Sequence, residues 1–225
     1  GDKVGICGRT GAGKSSLLLC LFRLVEPDES SQLLIDDIDC MKLGLRDLRS
    51  SISIIPQDPV LFSGSIRFNL DPFNERSDDD VIKILKQVKL YNKIVPSSDN
   101  NSIDMDPLQY VVAEGGSNFS QGQKQLICIA RALLRNSKIL ALDEATSSVD
   151  QKTDKLIQDL IRTSFKNQTV LTIAHRLQTI IDYDKLIVLK QGKVVEYDSP
   201  QNLLKNKKGL FYEMYKFNND NTNKK

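Results

Sequence analysis

Short apolar runs and amphipathic stretches alternate along this chain, and their spacing predicts strands and helices by turns. Val4-Gly5-Ile6-Cys7 is apolar at every position, as a strand covered on both faces should be. A glycine-rich turn follows, and then Leu17, Leu18, Leu21, Phe22 and Leu24 recur at helical spacing, predicting a helix over Lys14–Val25 that Pro27-Asp28 stops. Gln32–Ile35 reads as a strand and Leu45–Ser50 as a short helix. Ile52–Ile55 is a second strand, cut off by Pro56-Gln57-Asp58-Pro59. From Asp71 to Arg135 the pattern is helical without strands. Ser77 caps a helix with three acids on its positive end, and Val81, Ile82, Ile84, Leu85 and Val88 form its buried face. Ser97–Asn101 reads as a polar loop. Ser120 then caps a helix whose Leu126, Ile127, Ile129, Ala130, Leu133 and Leu134 face a core.

The last third returns to alternation. Ile139–Leu142 is a strand ending in Asp143-Glu144, Asp150 caps a helix carrying Leu156, Ile157, Leu160 and Ile161, and Thr169–Ile173 is a strand followed by His175. Leu186–Leu189, the turn Gln191-Gly192 and Val194-Val195 predict a closing hairpin. Short helices are expected after Pro200 and at Leu210–Tyr215, and the Asn- and Lys-rich residues 218–225 are expected to be disordered. The whole is an α/β pattern: a core from residues 1–70 and 136–217 with a small β-rich portion, interrupted by a helical subdomain over 71–135.

The chemistry begins at Gly8-Arg9-Thr10-Gly11-Ala12-Gly13-Lys14-Ser15, which fits G-x-x-x-x-G-K-[ST] between a strand end and a helix start. Glycines let successive N–H groups converge on one point, and the helix N-terminus adds partial positive charge, so the stretch reads as a phosphate cradle and the core as a P-loop NTPase (RecA-like) core. Lys14 would reach the β- and γ-phosphates and the Ser15 hydroxyl would ligate Mg²⁺. Asp143-Glu144, at the end of a buried strand, supplies the expected second half of such a site, with Asp143 in the Mg²⁺ shell and Glu144 taking a proton from the attacking water. Gln57 and His175 follow strands, at ends where ligand groups gather in open α/β sheets. Read alone, Gln57 is a solvated loop residue, His175 a structural histidine and Ser120 a helix cap. The cap accounts for Ser120 but not for Gly122 just inside the helix, where glycine costs about 1 kcal/mol relative to alanine.

Composition narrows the rest. Lys and Arg number 31 against 29 Asp and Glu, a net charge of +2, too balanced for a protein that holds polyanions chiefly by charge. Four cysteines without C-x-x-C spacing imply neither zinc nor disulfides, and suit reduced, buried thiols. The longest uninterrupted apolar run, Leu17–Phe22, is far short of the ~20 residues a membrane helix needs, so any membrane role is borrowed from a partner.

Taken together, these residues resemble the nucleotide-binding domain of an ABC transporter over nearly the whole chain. Gly8–Ser15 is similar to the Walker A loop, Gln57 to the Q-loop glutamine, and Phe119-Ser120-Gln121-Gly122-Gln123 to the signature otherwise read as LSGGQ. Leu142-Asp143-Glu144 is similar to the Walker B end, Ser147–Asp150 to the D-loop and His175 to the switch histidine, all in the family's order. Gly8–Leu17, Ala113–Gly116 and Thr172–Leu177 look most like the second such domain of the multidrug-resistance-associated, or C, subfamily. The resemblance implies ATP and Mg²⁺ as cofactors, with Arg9, Thr10, Gly11, Ala12, Gly13, Lys14, Ser15, Ser16, Gln57 and His175 around the nucleotide. Ser15, Gln57 and Asp143 are implied at the metal, and Glu144, His175 and Gln57 in hydrolysis.

It further implies a head-to-tail dimer with a second nucleotide-binding domain, in which Ser120, Gln121, Gly122 and Gln123 act in trans and Asp150 lies in the D-loop. Transmembrane domains of an exporter, coupled through Gln57, would place the chain on the cytoplasmic side of a membrane. Nucleic acid is not an implied partner. Two departures stand out. Phe119 and Gln121 replace Leu and Gly of the usual signature, so the site it completes on the partner is expected to hydrolyse poorly. The aromatic residue that usually stacks on adenine precedes the Walker A strand and is not in this chain. Two other readings compete: a chromosome- or repair-type ABC ATPase, which would need a long coiled coil, and a regulatory module that binds ATP without hydrolysing it.

Overall fold

Ile6 and Cys7 are neighbours on one strand, yet each is buried in a different apolar cluster, because successive side chains of a strand point to opposite faces. The computed structural model describes residues 1–28, 30–94, 106–143, 149–174 and 176–222. In order it runs β1 (Lys3–Gly8), α1 (Lys14–Leu21), β2 (Leu34–Ile35), β3 (Ile38–Asp39), α2 (Leu45–Ser51), β4 (Ile52–Ile55), β5 (Gly64–Ser65), α3 (Ile66–Leu70), α4 (Asp78–Gln87), α5 (Tyr91–Ile94) and β6 (Val111–Val112). It continues through α6 (Gln121–Arg135), β7 (Ile139–Asp143), α7 (Gln151–Ser164), β8 (Thr169–Ile173), β9 (Lys185–Lys190), β10 (Lys193–Asp198), α8 (Pro200–Lys205) and α9 (Leu210–Thr222). Contacts divide it into two units. One takes its described residues from Gly1–Ile54, Ser137–Glu144 and Asn167–Lys225, the other from Ile55–Asn136 and Ala145–Lys166.

The first unit is built on a sheet of order β10-β9-β1-β8-β7-β4. β1 runs parallel to β8 and β9, β7 parallel to β8, and β10 closes the edge antiparallel to β9. On one face Ile6 packs with Leu18 and Phe22 at α1 and Leu48 of α2. On the other, Cys7 packs with Leu177, Ile180, Leu203 and Phe211. Helices on both faces explain why the strands read as continuous apolar runs.

α1 stops at Leu21, short of the predicted Val25. Arg23 takes a left-handed backbone, φ 46°, so the Arg23 and Leu24 N–H groups turn back onto the Cys20 and Leu19 carbonyls at 2.9 and 2.8 Å and close the helix, while Arg49 of α2 donates to the Phe22 and Arg23 carbonyls just beyond it at 3.1 and 3.0 Å. Leu24 and Val25 are consequently exposed. The strand expected over Gln32–Ile35 is half of a hairpin: Asp36 and Asp37 both have positive φ, 50° and 63°, as a two-residue turn that matches strand twist requires. The predicted closing hairpin is β9–β10, turning at Gln191-Gly192.

In the second unit α4, α6 and α7 bury Val81, Leu85, Ile127, Ile129, Ile157 and Ile161. Ile82 and Ile84 are only half-buried. The stretch from residue 71 to 135 is not free of strands, since β6 pairs with β5 through Ser65–Val111 and Gly64–Val112. Two-residue strands carry no readable period, and packing of α3 on α6 draws the segment from Ile55 into this unit. The loop expected at Ser97–Asn101 lies outside the described residues. α9 extends to Thr222, into the segment whose composition predicts disorder; a helix already nucleated on a packed face propagates cheaply. Among the described residues no helix is long and apolar enough to cross a membrane.

Candidate functional site

The phosphate loop is held by backbone from both ends. Ala12 donates to the Arg9 carbonyl at 3.0 Å, and the Gly192 N–H of the β9–β10 turn donates to the Ala12 carbonyl at 3.0 Å. Gly13 is the N-cap of α1 with φ 101°, a left-handed value that only glycine adopts without strain. Among the described residues no side chain caps α1, so the first-turn N–H groups at Ser15 and Ser16 are left for something outside the helix. Arg9, Thr10, Gly11, Ser15 and Ser16 are exposed, whereas Ala12 and Lys14 are buried. The Lys14 ammonium bonds back onto the loop, 2.9 Å from the Gly8 carbonyl and 3.3 Å from that of Arg9. The cation is therefore already at the mouth of the cradle.

Register brings a carboxylate to the same edge. Ile6 of β1 pairs with Ile173 of β8, which pairs with Asp143 of β7. At one strand spacing each, the Asp143 backbone stands about 10 Å from β1, on the edge where the loop emerges. Glu144 and His175 lie outside the described residues.

Beside the loop is a cavity of about 730 Å³, lined by Gly8, Arg9, Thr10 and Lys14 on one side and by Ala174, Leu177, Glu213, Met214, Phe217 and Asn218 on others. The contribution of α9 was not readable in the sequence, where Leu210–Tyr215 is only a short amphipathic helix. Neither Phe22 nor Tyr183 offers a platform for a base: Phe22 is in the core, and Tyr183 is buried with its hydroxyl 2.9 Å from that of Thr172. Cys7, beneath the loop, has its thiol pushed up to about 12 by burial and stays a neutral, inert core group.

The remaining expected residues belong to the second unit. Gln57 is exposed, following β4. Ser120 is the N-cap of α6 in a reciprocal capping box: its hydroxyl accepts from the Gln123 N–H at 3.3 Å, and the Gln123 carboxamide oxygen accepts from the Ser120 N–H at 2.9 Å. Gln121 is half-buried in the first turn. Phe119, the other departure from the usual signature, is buried edge-on against Tyr110 with centroids 5.7 Å apart, so the larger ring is absorbed by the core. At Gly122 an added Cβ would lie 2.7 Å from Thr153 Cγ2 and 3.2 Å from Val149 Cγ1. Asp150 caps α7 by accepting from the Thr153 N–H at 3.0 Å. That bond holds its carboxyl below the ordinary carboxylate range.

Residues 1–147 match the family model described as ABC transporter. Bile pigment transporter 1 of Saccharomyces cerevisiae is 52% identical over 95% of this chain and 14% of its own length. ATP-binding cassette sub-family C member 3 of Mus musculus is 53% identical over 96% of this chain and 14% of its own. This chain thus spans about one-seventh of the curated relatives it matches. Among solved structures, a bacterial Atm1-family ABC exporter with ATP bound superimposes with a TM-score of 0.84 at 34% identity, covering 96% of this chain and 36% of that one.

Proposed function

This chain belongs to the ABC transporter family, as an ATPase domain of the kind found in C-subfamily exporters, and we propose that it powers an export-type transporter by binding and hydrolysing ATP between itself and a second nucleotide-binding domain. The observation that carries this is the start of α1: a glycine-built loop, no side-chain cap, and an ammonium placed at its mouth. Backbone N–H groups left unpaired at a helix N-terminus suit the oxygens of a polyphosphate, and Lys14 can exchange its loop carbonyls for phosphate oxygens. Arg9, Thr10 and the loop N–H groups orient the triphosphate, while Ser16 extends the cradle into the helix.

The donor set also suits Mg²⁺. Ser15 offers an exposed hydroxyl and Asp143 a carboxylate on the same sheet edge. Both are hard oxygen donors that leave coordination positions for phosphate and water, and the resemblance adds the Gln57 amide. When bound, Mg²⁺ would neutralise charge developing on the phosphates. Glu144 is assigned the proton of the attacking water, and His175 the γ-phosphate.

In trans, the N-terminus of α6 with Ser120, Gln121, Gly122 and Gln123, and the D-loop with Asp150, would face the nucleotide held by the partner domain. Exposed apolar side chains suit a transmembrane partner: Phe62, Phe68, Phe73 and Val111, 59%, 47%, 82% and 69% exposed, lie on β6 or within a few residues of β5 and α3 in the chain. Glu144→Gln should keep ATP binding and lose hydrolysis by on the order of 10²-fold or more, because an amide cannot take the proton. Steady-state turnover and nucleotide titration of the two proteins decide it, and near-normal turnover would sink the assignment of Glu144.

A further inference from the structure

Gln125 lies within α6, five residues after Ser120, and is 2% exposed in a stretch where Leu126, Ile127, Cys128, Ile129 and Ala130 are all buried. Its amide nitrogen donates two hydrogen bonds of 2.9 Å, one to the Pro56 carbonyl and one to the Gln57 carbonyl. Its Oε1 has no partner among the described residues. An apolar side chain of this size would fill the same space without leaving a buried oxygen unpaired, so packing does not explain the amide. What the amide does is grip the two carbonyls that flank residue 57. Fixing both peptide groups fixes the backbone dihedrals between them, and with them the direction in which the Gln57 side chain leaves the chain.

The same helix holds the following segment as well. Arg131 donates to the Asn69 and Val60 carbonyls at 2.6 and 2.7 Å and to Asn69 Oδ1 at 3.0 Å. Asn69 in turn accepts from the Phe62 N–H at 2.9 Å and donates to the Phe62 carbonyl at 2.8 Å. All these residues belong to one unit. We infer that Gln125 is a positioning residue for ATP hydrolysis, a latch that ties the Gln57 loop to the helix beginning at Ser120, so that a displacement of that helix start carries Gln57 with it. The inference rests on the reading of Gln57 as a residue of the nucleotide site.

The test is a double-mutant cycle in the full-length protein: Gln57→Ala, Gln125→Leu and the pair. Gln125→Leu should leave the ATP dissociation constant within about twofold while kcat falls on the order of tenfold, as when the support of a site residue is removed. The Mg²⁺ concentration for half-maximal turnover should rise with it. In the Gln57→Ala background Gln125→Leu should have no further effect, because its action passes through residue 57. Should Gln125→Leu fail to fold, Gln125→Met, unbranched and of equal length, carries the same cycle. Losses that multiply in the double variant, or ATP binding that falls in step with turnover, would show a merely structural role and overturn the latch. Normal turnover in Gln125→Leu beside an impaired Gln57→Ala would overturn the latch alone. Normal turnover in Gln57→Ala would remove the reading of Gln57, and the latch with it.

Discussion

The two helix starts that matter most here, those of α1 and α6, satisfy their backbones in opposite ways. α1 begins at Gly13, with no side-chain cap. α6 begins at Ser120, with both halves of a capping box in place. A helix end that closes its own N–H groups is stable alone and offers a ligand chiefly its dipole and a hydroxyl proton. One left open is stable only at some cost, and that cost is offset when an anion arrives. On the proposed function, the contrast separates a start that holds phosphate tightly from one that meets, more weakly, phosphate held elsewhere.

If that contrast is right, the largest effect lies at α1. Lys14→Ala removes a charge-assisted contact, about 1.5–3 kcal/mol, so ATP affinity should fall by roughly 10- to 150-fold with little change in fold. Calorimetric titration measures it, and unchanged affinity would erase the distinction. Gly122→Ala comes next. Helix propensity alone would favour alanine by about 1 kcal/mol, but the added methyl meets Thr153, and overpacking of this kind costs about 1–3 kcal/mol. Net destabilisation on denaturant unfolding, relieved by adding Thr153→Ala, would show that packing on α7 demands the glycine; stabilisation would leave ligand approach as its reason.

A smaller effect is expected at Ser120. Ser120→Ala should cost about 1 kcal/mol of stability through the lost cap and leave the ATP affinity of this chain's own loop unchanged. A fall in that affinity would mean the two starts are not separate in function. The smallest concerns α7, whose cap is charged. Because the folded Asp150 carboxyl titrates below its ordinary value, its contribution is full above the unfolded pKa of about 3.9 and is lost as pH falls through the lower folded value. Asp150→Asn, which keeps a capping oxygen, should therefore differ from the parent in thermal midpoint at neutral pH and converge with it under acid conditions; a gap that widens on acidification would contradict the sign.

Much of this was legible beforehand because it depends on local chemistry. Val4–Cys7 and Ile139–Leu142 announce buried parallel strands by having no polar positions. Ser77, Ser120 and Asp150 announce helix starts by carrying an oxygen one residue ahead of an amphipathic run, and each accepts the N–H three residues on. Illegible were features whose partner is distant. Arg49 of α2 takes the Phe22 and Arg23 carbonyls just past α1, and β5 and β6 exist only as each other's neighbours.

The sequence by itself therefore determined the alternation of strands and helices, the glycine-built loop, the caps and the family, since propensity, periodicity and motif spacing all act within a few residues. Only the tertiary structure decided that Asp143 shares an edge with the phosphate loop, that α9 walls the cavity beside it, that Gly122 packs against Thr153, and that Gln125 grips the peptides on either side of Gln57. Those facts join residues tens of positions apart, or on different elements. Close packing and buried hydrogen bonds set them, and both depend on where the folded chain places each backbone group.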